Sequence, residues 1–174
     1  MKNLYSVSLE KYMETKMKET KMKVIYENGD APAAFADVDI NAALESVLEF
    51  FDKLQVQIKP YPKIVFDCRK QKSFLHFCIG VYSPESRTIS IPIVGRSPND
   101  AFRTLFHELI HHSQVLSGVY EKKIKGLTQE NSDVGLHAGL TELEEDANAR
   151  GFYMFRVWAR EQKEKTDNPF YIGK

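Results

Sequence analysis

Residues 107–112 read His-Glu-Leu-Ile-His-His, and the first five of them match the pattern HExxH. A helix turns by about 100° per residue, so His107 and His111 lie on one face of a helix, a single turn apart. Two imidazoles in this arrangement can share one metal ion, and Glu108 beside them is a candidate general base. We therefore expect a helix that carries part of a metal centre, with the remaining ligand supplied by another part of the chain.

The helix that carries this pattern has a clear beginning and an apolar face. Ser97 is the predicted N-cap, Pro98 the first helical residue and Asp100 the third, and the helix is predicted to end near Gly118. Its apolar residues share one arc, opposite the two motif histidines: Phe102, Leu105, Phe106, Leu109, Ile110 and Leu116. A solvated face is the alternative interpretation of those histidines. His112 lies close to the apolar arc, and we interpret it as a structural or surface residue.

A zinc centre needs at least a third protein ligand, and a later helix offers one. The long metzincin form is excluded, because Gln114 and Ser117 stand where that form has Gly and His. The later helix has an apolar stripe made of Leu140, Leu143, Ala147, Gly151, Met154, Phe155 and Trp158. Glu144 falls inside this stripe, whereas Glu142, Glu145 and Asp146 point away from its centre. A carboxylate that faces the core must be paired or bind a cation, so Glu144 is the predicted third ligand.

Two alternatives to this ligand remain open. Thr141 is the predicted N-cap of the later helix, and Glu144 could complete a capping box with it. His137 could be the third ligand instead, as in SprT-like proteases, which use three histidines. Asn148, one turn after Glu144, is expected to hydrogen-bond the far nitrogen of a ligating histidine. Gly151, one further turn along, would allow two helices to approach closely.

The rest of the chain predicts an α+β domain. Strands are expected at 24–27, 63–68, 74–82 and 88–93, a charged amphipathic helix over 8–22, and a helix capped by Asp39. Pro92 cannot donate to a sheet ladder, so the strand at 88–93 lies at a sheet edge or ends there. The segment 119–140 is predicted to be irregular or weakly helical, and the last helix to run from Thr141 to about Lys163.

These residues resemble the short zincin metallopeptidases of the gluzincin type. Those domains have an edge strand, an HExxH helix and a later helix with Glu-x-x-Ala-Asp or Glu-x-x-Ala-Asn, which here reads Glu144-Glu145-Asp146-Ala147-Asn148. The chain is most similar to the compact ImmA/IrrE-like peptidase domains and to the minimal metallopeptidases of phages and mobile elements. The resemblance covers residues 60–160, with Arg150-Gly151 standing where the family usually has Phe-Ala.

The resemblance implies a fold and a set of roles. The implied fold is zincin-like: a small mixed sheet with an edge strand packed on the HExxH helix, and a second helix that carries a ligand. The implied ligands of one Zn²⁺ ion are His107, His111 and Glu144, with Glu108 as the base that activates water. We expect residues 1–60 to form an N-terminal segment that packs on or covers the core, 61–165 the zincin-like core, and 166–174 a tail, all within one domain.

Composition narrows the classes of function. The 174 residues are 43% hydrophobic and 28% charged with a net charge of zero, so nothing favours binding to nucleic acid or to a membrane. Neither a signal peptide nor a stretch of about twenty apolar residues is present, which predicts a cytoplasmic protein. The two cysteines, Cys68 and Cys78, are expected to be reduced.

We therefore expect a zinc-dependent peptide-bond hydrolase that acts on a peptide or protein substrate. An extended substrate is expected to add as a strand along the edge at 88–93. His137 or Tyr120 is the predicted catalytic donor to the oxyanion. The alternatives are a non-catalytic binding or structural protein that keeps a metal-stabilised zincin fold, and an α+β domain in which the motif is accidental.

Overall fold

The computed structural model describes residues 22, 24–69, 80–125 and 132–165, with the side chains of the last two ranges described over 80–123 and 139–163. The elements are, in chain order, β1 (Val24–Glu27), α1 (Ile40–Lys53), β2 (Lys63–Asp67), β3 (Val81–Ser83), β4 (Thr88–Pro92), α2 (Pro98–Leu116), α3 (Val119–Lys125) and α4 (Ser132–Lys165). The predicted α+β class is confirmed. The helix predicted over 8–22, most of the strand predicted over 74–82, Cys78 and the tail at 166–174 lie outside the described residues.

The described strands form a mixed sheet in the order β1-β2-β4-β3. β1 and β4 flank β2 in parallel, and β3 runs antiparallel to β4. The prediction that the strand at 88–93 lies at a sheet edge is therefore wrong, because β4 has a partner on both sides. Pro92 is the last residue of β4, opposite Asp67, so its missing amide ends the strand, which was the other expectation. β3 is the edge strand of the described sheet on this side.

One buried apolar cluster joins the sheet to α1, α2 and α4. α2 begins as predicted, with the Ser97 side chain accepting from the Asp100 amide. The ring of Phe102 stacks on Trp158 at 5.6 Å, and Phe106 lies 5.5 Å from the same indole. The described part of the predicted N-terminal segment contributes β1 and α1 to this same sheet and core. The apolar face of α2 is thus fixed against the core, which leaves the opposite face for the histidines.

The last helix begins much earlier than predicted. Thr141 is not its N-cap but an interior residue, because α4 starts at Ser132, and residues 119–125 form a helix of their own. Gly135 and Gly139 each lower the intrinsic helix propensity by about 1 kcal/mol, which makes this stretch look weak in isolation. Once a helix is nucleated by packing further along, each added residue gains a hydrogen bond. The capping-box interpretation of Glu144 is excluded, because no helix begins at Thr141.

α2 and α4 pack side by side in opposite directions. Residues further along α2 contact residues earlier in α4: Phe102 meets Trp158, the backbone of His107 faces Gly151, and Gln114 binds the carbonyl of Leu143. This pairing brings the middle of α2, where the HExxH pattern lies, next to the middle of α4. Among the described helices, none is both long enough and apolar enough to cross a membrane.

Candidate metal centre

Three side chains from the two helices converge as the sequence predicts. The Nε2 atoms of His107 and His111 are 3.0 Å apart, and the Glu144 carboxylate lies 3.4 Å from the first and 3.2 Å from the second. Zinc ligands at about 2.0–2.1 Å in tetrahedral arrangement are separated from one another by about 3.3 Å. Two imidazole nitrogens and a carboxylate, whose Oε2 faces His107 and whose Oε1 faces His111, could hold a single metal ion at these separations.

Close contact between the helices places His107. A Cβ built on Gly151 would lie 2.9 Å from the Cα of His107 and 3.0 Å from its amide nitrogen, so any larger residue would push the helices apart. The close approach expected from Gly151 is thus observed. One turn earlier, the side chain of Asn148 interacts with His107 and raises the pKa of its imidazole.

Gln114 positions the second histidine. Its Oε1 lies 2.9 Å from the Nδ1 of His111, and its Nε2 donates to the carbonyl of Leu143 and to the carboxylate of Asp146. Because the amide oxygen can only accept, His111 carries its proton on Nδ1 and keeps the lone pair of Nε2 for a metal ion. Buried Gln114 therefore fixes both the orientation and the tautomer of His111.

The two histidines are shielded rather than solvated. Their side chains are 22% (His107) and 15% (His111) exposed, which argues against the interpretation of a solvated face. Burial and the neighbouring His111 lower the pKa of His107, against the opposing effect of Glu144. The neutral imidazole that a metal ion requires is therefore favoured. Glu144 is 57% exposed and does not face the core as predicted, because its turn of α4 opens onto a cleft.

Glu108 lies next to this group in a very different environment. The residue is 5% exposed, and burial, followed by the negative charge of Glu144, raises the pKa of its carboxyl to about 7. A hydrogen bond from the backbone of Tyr82 opposes this rise. A Cβ on Gly80 would lie 2.8 Å from the Glu108 Oε1 and 2.5 Å from the Cγ2 of Thr104, so β3 begins directly over the carboxylate. A carboxyl that titrates near neutrality can both accept and return a proton.

His112 links β3 to α2. Its Nε2 lies 3.2 Å from the carbonyl of Ile58 and 2.9 Å from that of Pro60, so this nitrogen carries the proton. The Nδ1 atom therefore accepts from the hydroxyl of Tyr82, at 2.8 Å. His112 is fully buried, which agrees with a structural residue and not with a surface one. The same residue, Tyr82, thus contacts Glu108 through its backbone and His112 through its side chain.

The centre lies in a cleft with a volume of about 1070 Å³ between β3, α2, α3 and α4. Tyr120 lines this cleft, as a predicted oxyanion donor must. The side chain of His137, the other predicted donor and alternative ligand, lies outside the described residues, so both of its roles stay predictions. Tyr153 is 68% exposed and does not line the cleft.

Three residues around the centre escape sequence reasoning. Gln114 stands one turn after His111, and this helical spacing is a signal that could have identified it. Gly80 and Tyr82 act from a different element, and their roles depend on the pairing of β3 with β4. No local pattern in the sequence specifies that pairing.

No family model, curated protein or solved structure matches the chain.

Proposed function

We propose that the protein is a zinc-dependent peptide-bond hydrolase of the zincin type. The observation that carries the proposal is the buried Glu108 carboxyl, with a pKa of about 7, beside a three-donor group that fits a metal ion. A purely structural metal site has no use for such a carboxyl. Two imidazoles and one carboxylate at tetrahedral separations favour zinc, and three protein ligands leave a fourth position open.

Each side chain of the centre has its own proposed role in hydrolysis. His107, His111 and Glu144 would hold the ion, which when bound supplies the Lewis acidity that activates water and polarises a peptide carbonyl. Glu108 accepts the proton of the attacking water on its carboxylate and then donates it to the nitrogen of the leaving amine. The Tyr82 amide holds Glu108 in place during both transfers. Of the two predicted oxyanion donors, Tyr120 is the one whose side chain the structure describes, and it lines the cleft.

An extended peptide is proposed to bind along β3 rather than along residues 88–93. β4 is enclosed between β2 and β3, whereas β3 is the edge strand of the described sheet and lines the cleft. Strand addition uses backbone groups of the edge and is independent of most side chains of the substrate. Specificity must then come from the side chains of the two helices that form the opposite wall.

Zinc content and hydrolysis, measured together, test the proposal. We expect about one zinc per chain after extensive dialysis, and hydrolysis of a mixture of unstructured peptides that stops with a chelator and returns with zinc. Glu108→Gln should keep the zinc and lose hydrolysis, whereas His107→Ala should lose both. Zinc without hydrolysis of any peptide would favour the non-catalytic alternative. Protein that binds no zinc even after reconstitution would overturn the proposal.

A further inference from the structure

Charge changes sign along α4, and this change coincides with the metal centre. The segment 142–146 contains four carboxylates, whereas residues 147–160 contain no acidic residue and three arginines, Arg150, Arg156 and Arg160. Because α2 and α4 are antiparallel, the basic half of α4 lies beside the first half of α2. The part of α4 beside the beginning of α2 is thus basic, and the metal group lies where the charge of α4 changes sign.

Arg103 lies in the first half of α2, which packs beside this basic part of α4, and its side chain lines the cleft. It stands one turn before His107 on the same face of α2, which corresponds to about 6 Å along the helix axis. Opposite it, Phe152 of α4 also lines the cleft, and the guanidinium of Arg156 lies 5.6 Å from the centre of its ring. Arg103 and Phe152 therefore line the same cleft as the metal group, and Arg156 lies against the ring of Phe152.

Asp100 and Asp146 are already engaged, and the carboxylates that line the cleft, Glu108, Glu144 and Glu145, lie at or next to the metal group. The Asp100 carboxylate accepts from the Ser97 hydroxyl, the Asp100 amide donates to the same hydroxyl oxygen, and Asp100 lies close to the half-buried Arg96. Asp146 pairs with Arg150 and Gln114. Within the described ranges, no ion pair is recorded for Arg103 or Arg156. A cation in a cleft that has no carboxylate partner of its own is suited to one from a ligand.

The direction of β3 determines which part of a bound peptide would lie near Arg103. Gly80, the residue before β3, lies against Thr104, and the hydroxyl of Tyr82 in β3 binds His112, so β3 runs along α2 in the direction of that helix. A peptide that adds antiparallel to β3 runs the other way. Its residues beyond the cleaved bond, on the leaving-group side, then lie towards Thr104 and Arg103.

We propose that the Arg103 end of the cleft binds a carboxylate on the leaving-group side of the substrate. The carboxylate is that of an acidic side chain or of the peptide's own C-terminus. This inference rests on the proposed peptide-hydrolase function, because that function implies a peptide substrate that runs antiparallel to β3. It assigns to this protein a preference for acidic or C-terminal peptide segments.

A matched set of peptides tests the inference. The hexapeptides carry Glu, Gln or Lys at the residues after the cleaved bond. Each of them is made once with a free C-terminus and once with an amidated C-terminus. The value of kcat/KM is measured with zinc-loaded wild type, and the Kd of each peptide with zinc-loaded Glu108→Gln protein, which removes turnover. We expect at least a tenfold preference for Glu over Gln, or for the free C-terminus over the amide. Which of the two pairs differs identifies the source of the carboxylate.

Variants of exposed arginines assign the preference to one residue. Arg103→Gln should abolish the preference, and Arg103→Glu should turn it into a preference for Lys. Arg160→Gln, at an exposed arginine in the basic half of α4 that does not line the cleft, should leave it unchanged. Because Arg103 is exposed, its variants should unfold like the wild type, which the unfolding free energy checks.

The outcomes separate this inference from the proposed function. Peptides that are hydrolysed without regard to charge would overturn the inference and leave the function in place. Peptides bound by Glu108→Gln protein with the expected preference, but not hydrolysed by the wild type, would support the inference and overturn the function. A cleft that binds none of the peptides would overturn the inference.

Discussion

Gly151 of α4 lies in van der Waals contact with the backbone of His107, and this contact sets the distance between the two helices of the metal centre. Glycine ordinarily weakens a helix interior by about 1 kcal/mol relative to alanine. Here the added methyl group would lie 2.9 Å from the Cα of His107, against backbone that cannot move alone. Gly→Ala normally stabilises a helix, but at this position we expect it to destabilise the protein.

We predict that Gly151→Ala destabilises the protein by about 1–3 kcal/mol, the usual range for overpacking a buried contact. Zinc affinity should fall as well, because Glu144 moves away from the two histidines with α4. Chemical denaturation and a zinc competition assay measure the two effects. A variant at least as stable as the wild type would show that the helices are not in contact here.

Gln114 provides a second prediction, on metal affinity. Gln114→Leu keeps most of the volume but removes the acceptor for the Nδ1–H of His111 and the donor to Leu143 and Asp146. We expect zinc affinity to fall by about 10–100-fold, as is usual when a hydrogen-bond partner of a ligating histidine is lost. A competition assay with a chelator of known affinity measures this change.

Ser117→Ala is the matched control for Gln114→Leu. The Ser117 hydroxyl donates to the main-chain carbonyl of Gln114 and touches neither histidine. Its removal should leave zinc affinity within about twofold of the wild type, because no ligand loses a partner. Equal losses in the two variants would mean that Gln114 acts through general stability rather than through His111.

The hydroxyl of Tyr82 carries a third prediction. Tyr82→Phe leaves the Nδ1 of fully buried His112 without its donor, and an unsatisfied buried group costs about 1–3 kcal/mol. We expect the unfolding free energy to fall by that amount. Hydrolysis should also slow, because β3 loses a link to α2 next to Glu108. Tyr153→Phe, at a side chain 68% exposed, should change neither quantity. Equal behaviour of the two variants would refute the role of the Tyr82–His112 hydrogen bond.

The helical parts of the centre could be predicted because helix geometry is local. The spacing of His107 and His111 and the Ser97 cap depend on residues within a turn or two. Glu144 joins the two histidines as predicted, but it is 57% exposed, so the core-facing position on which its choice was based is wrong. The order of the strands in the sheet could not be predicted in the same way. Pro92 was compatible with an edge or with the end of a strand, and the choice depends on β2 and β3, which lie far away in sequence.

The beginning of α4 shows a second limit of sequence reasoning. Gly135 and Gly139 lower the local helix propensity, and Thr141 looks like a cap, yet α4 runs through all three. Packing of the later turns against α2 outweighs these local preferences. The same tertiary effect places Tyr82 and Gly80 over Glu108, which no periodicity in the sequence reveals.

Glu108 gives a fourth prediction, for the metal-free protein. Burial raises the pKa of its carboxyl from the ordinary 4.5 to about 7, so the folded state holds the proton more tightly than the unfolded state. The stabilisation by this proton is complete below pH 4.5 and is lost as the pH rises to about 7. We expect the wild type to lose up to about 3 kcal/mol over this range relative to Glu108→Gln, which has no proton to release.

Denaturation of both chelator-treated proteins from pH 4 to 8 measures this difference. The Glu108→Gln protein should be the more stable of the two at pH 8, because its amide can accept from the Tyr82 backbone without burying a charge. The other ionisable groups, including both ligating histidines, are present in both proteins, so the difference between the two curves isolates the side chain at position 108. Parallel curves across the whole range would mean that Glu108 ionises as in water, and the buried carboxyl on which the proposed proton transfer depends would not exist.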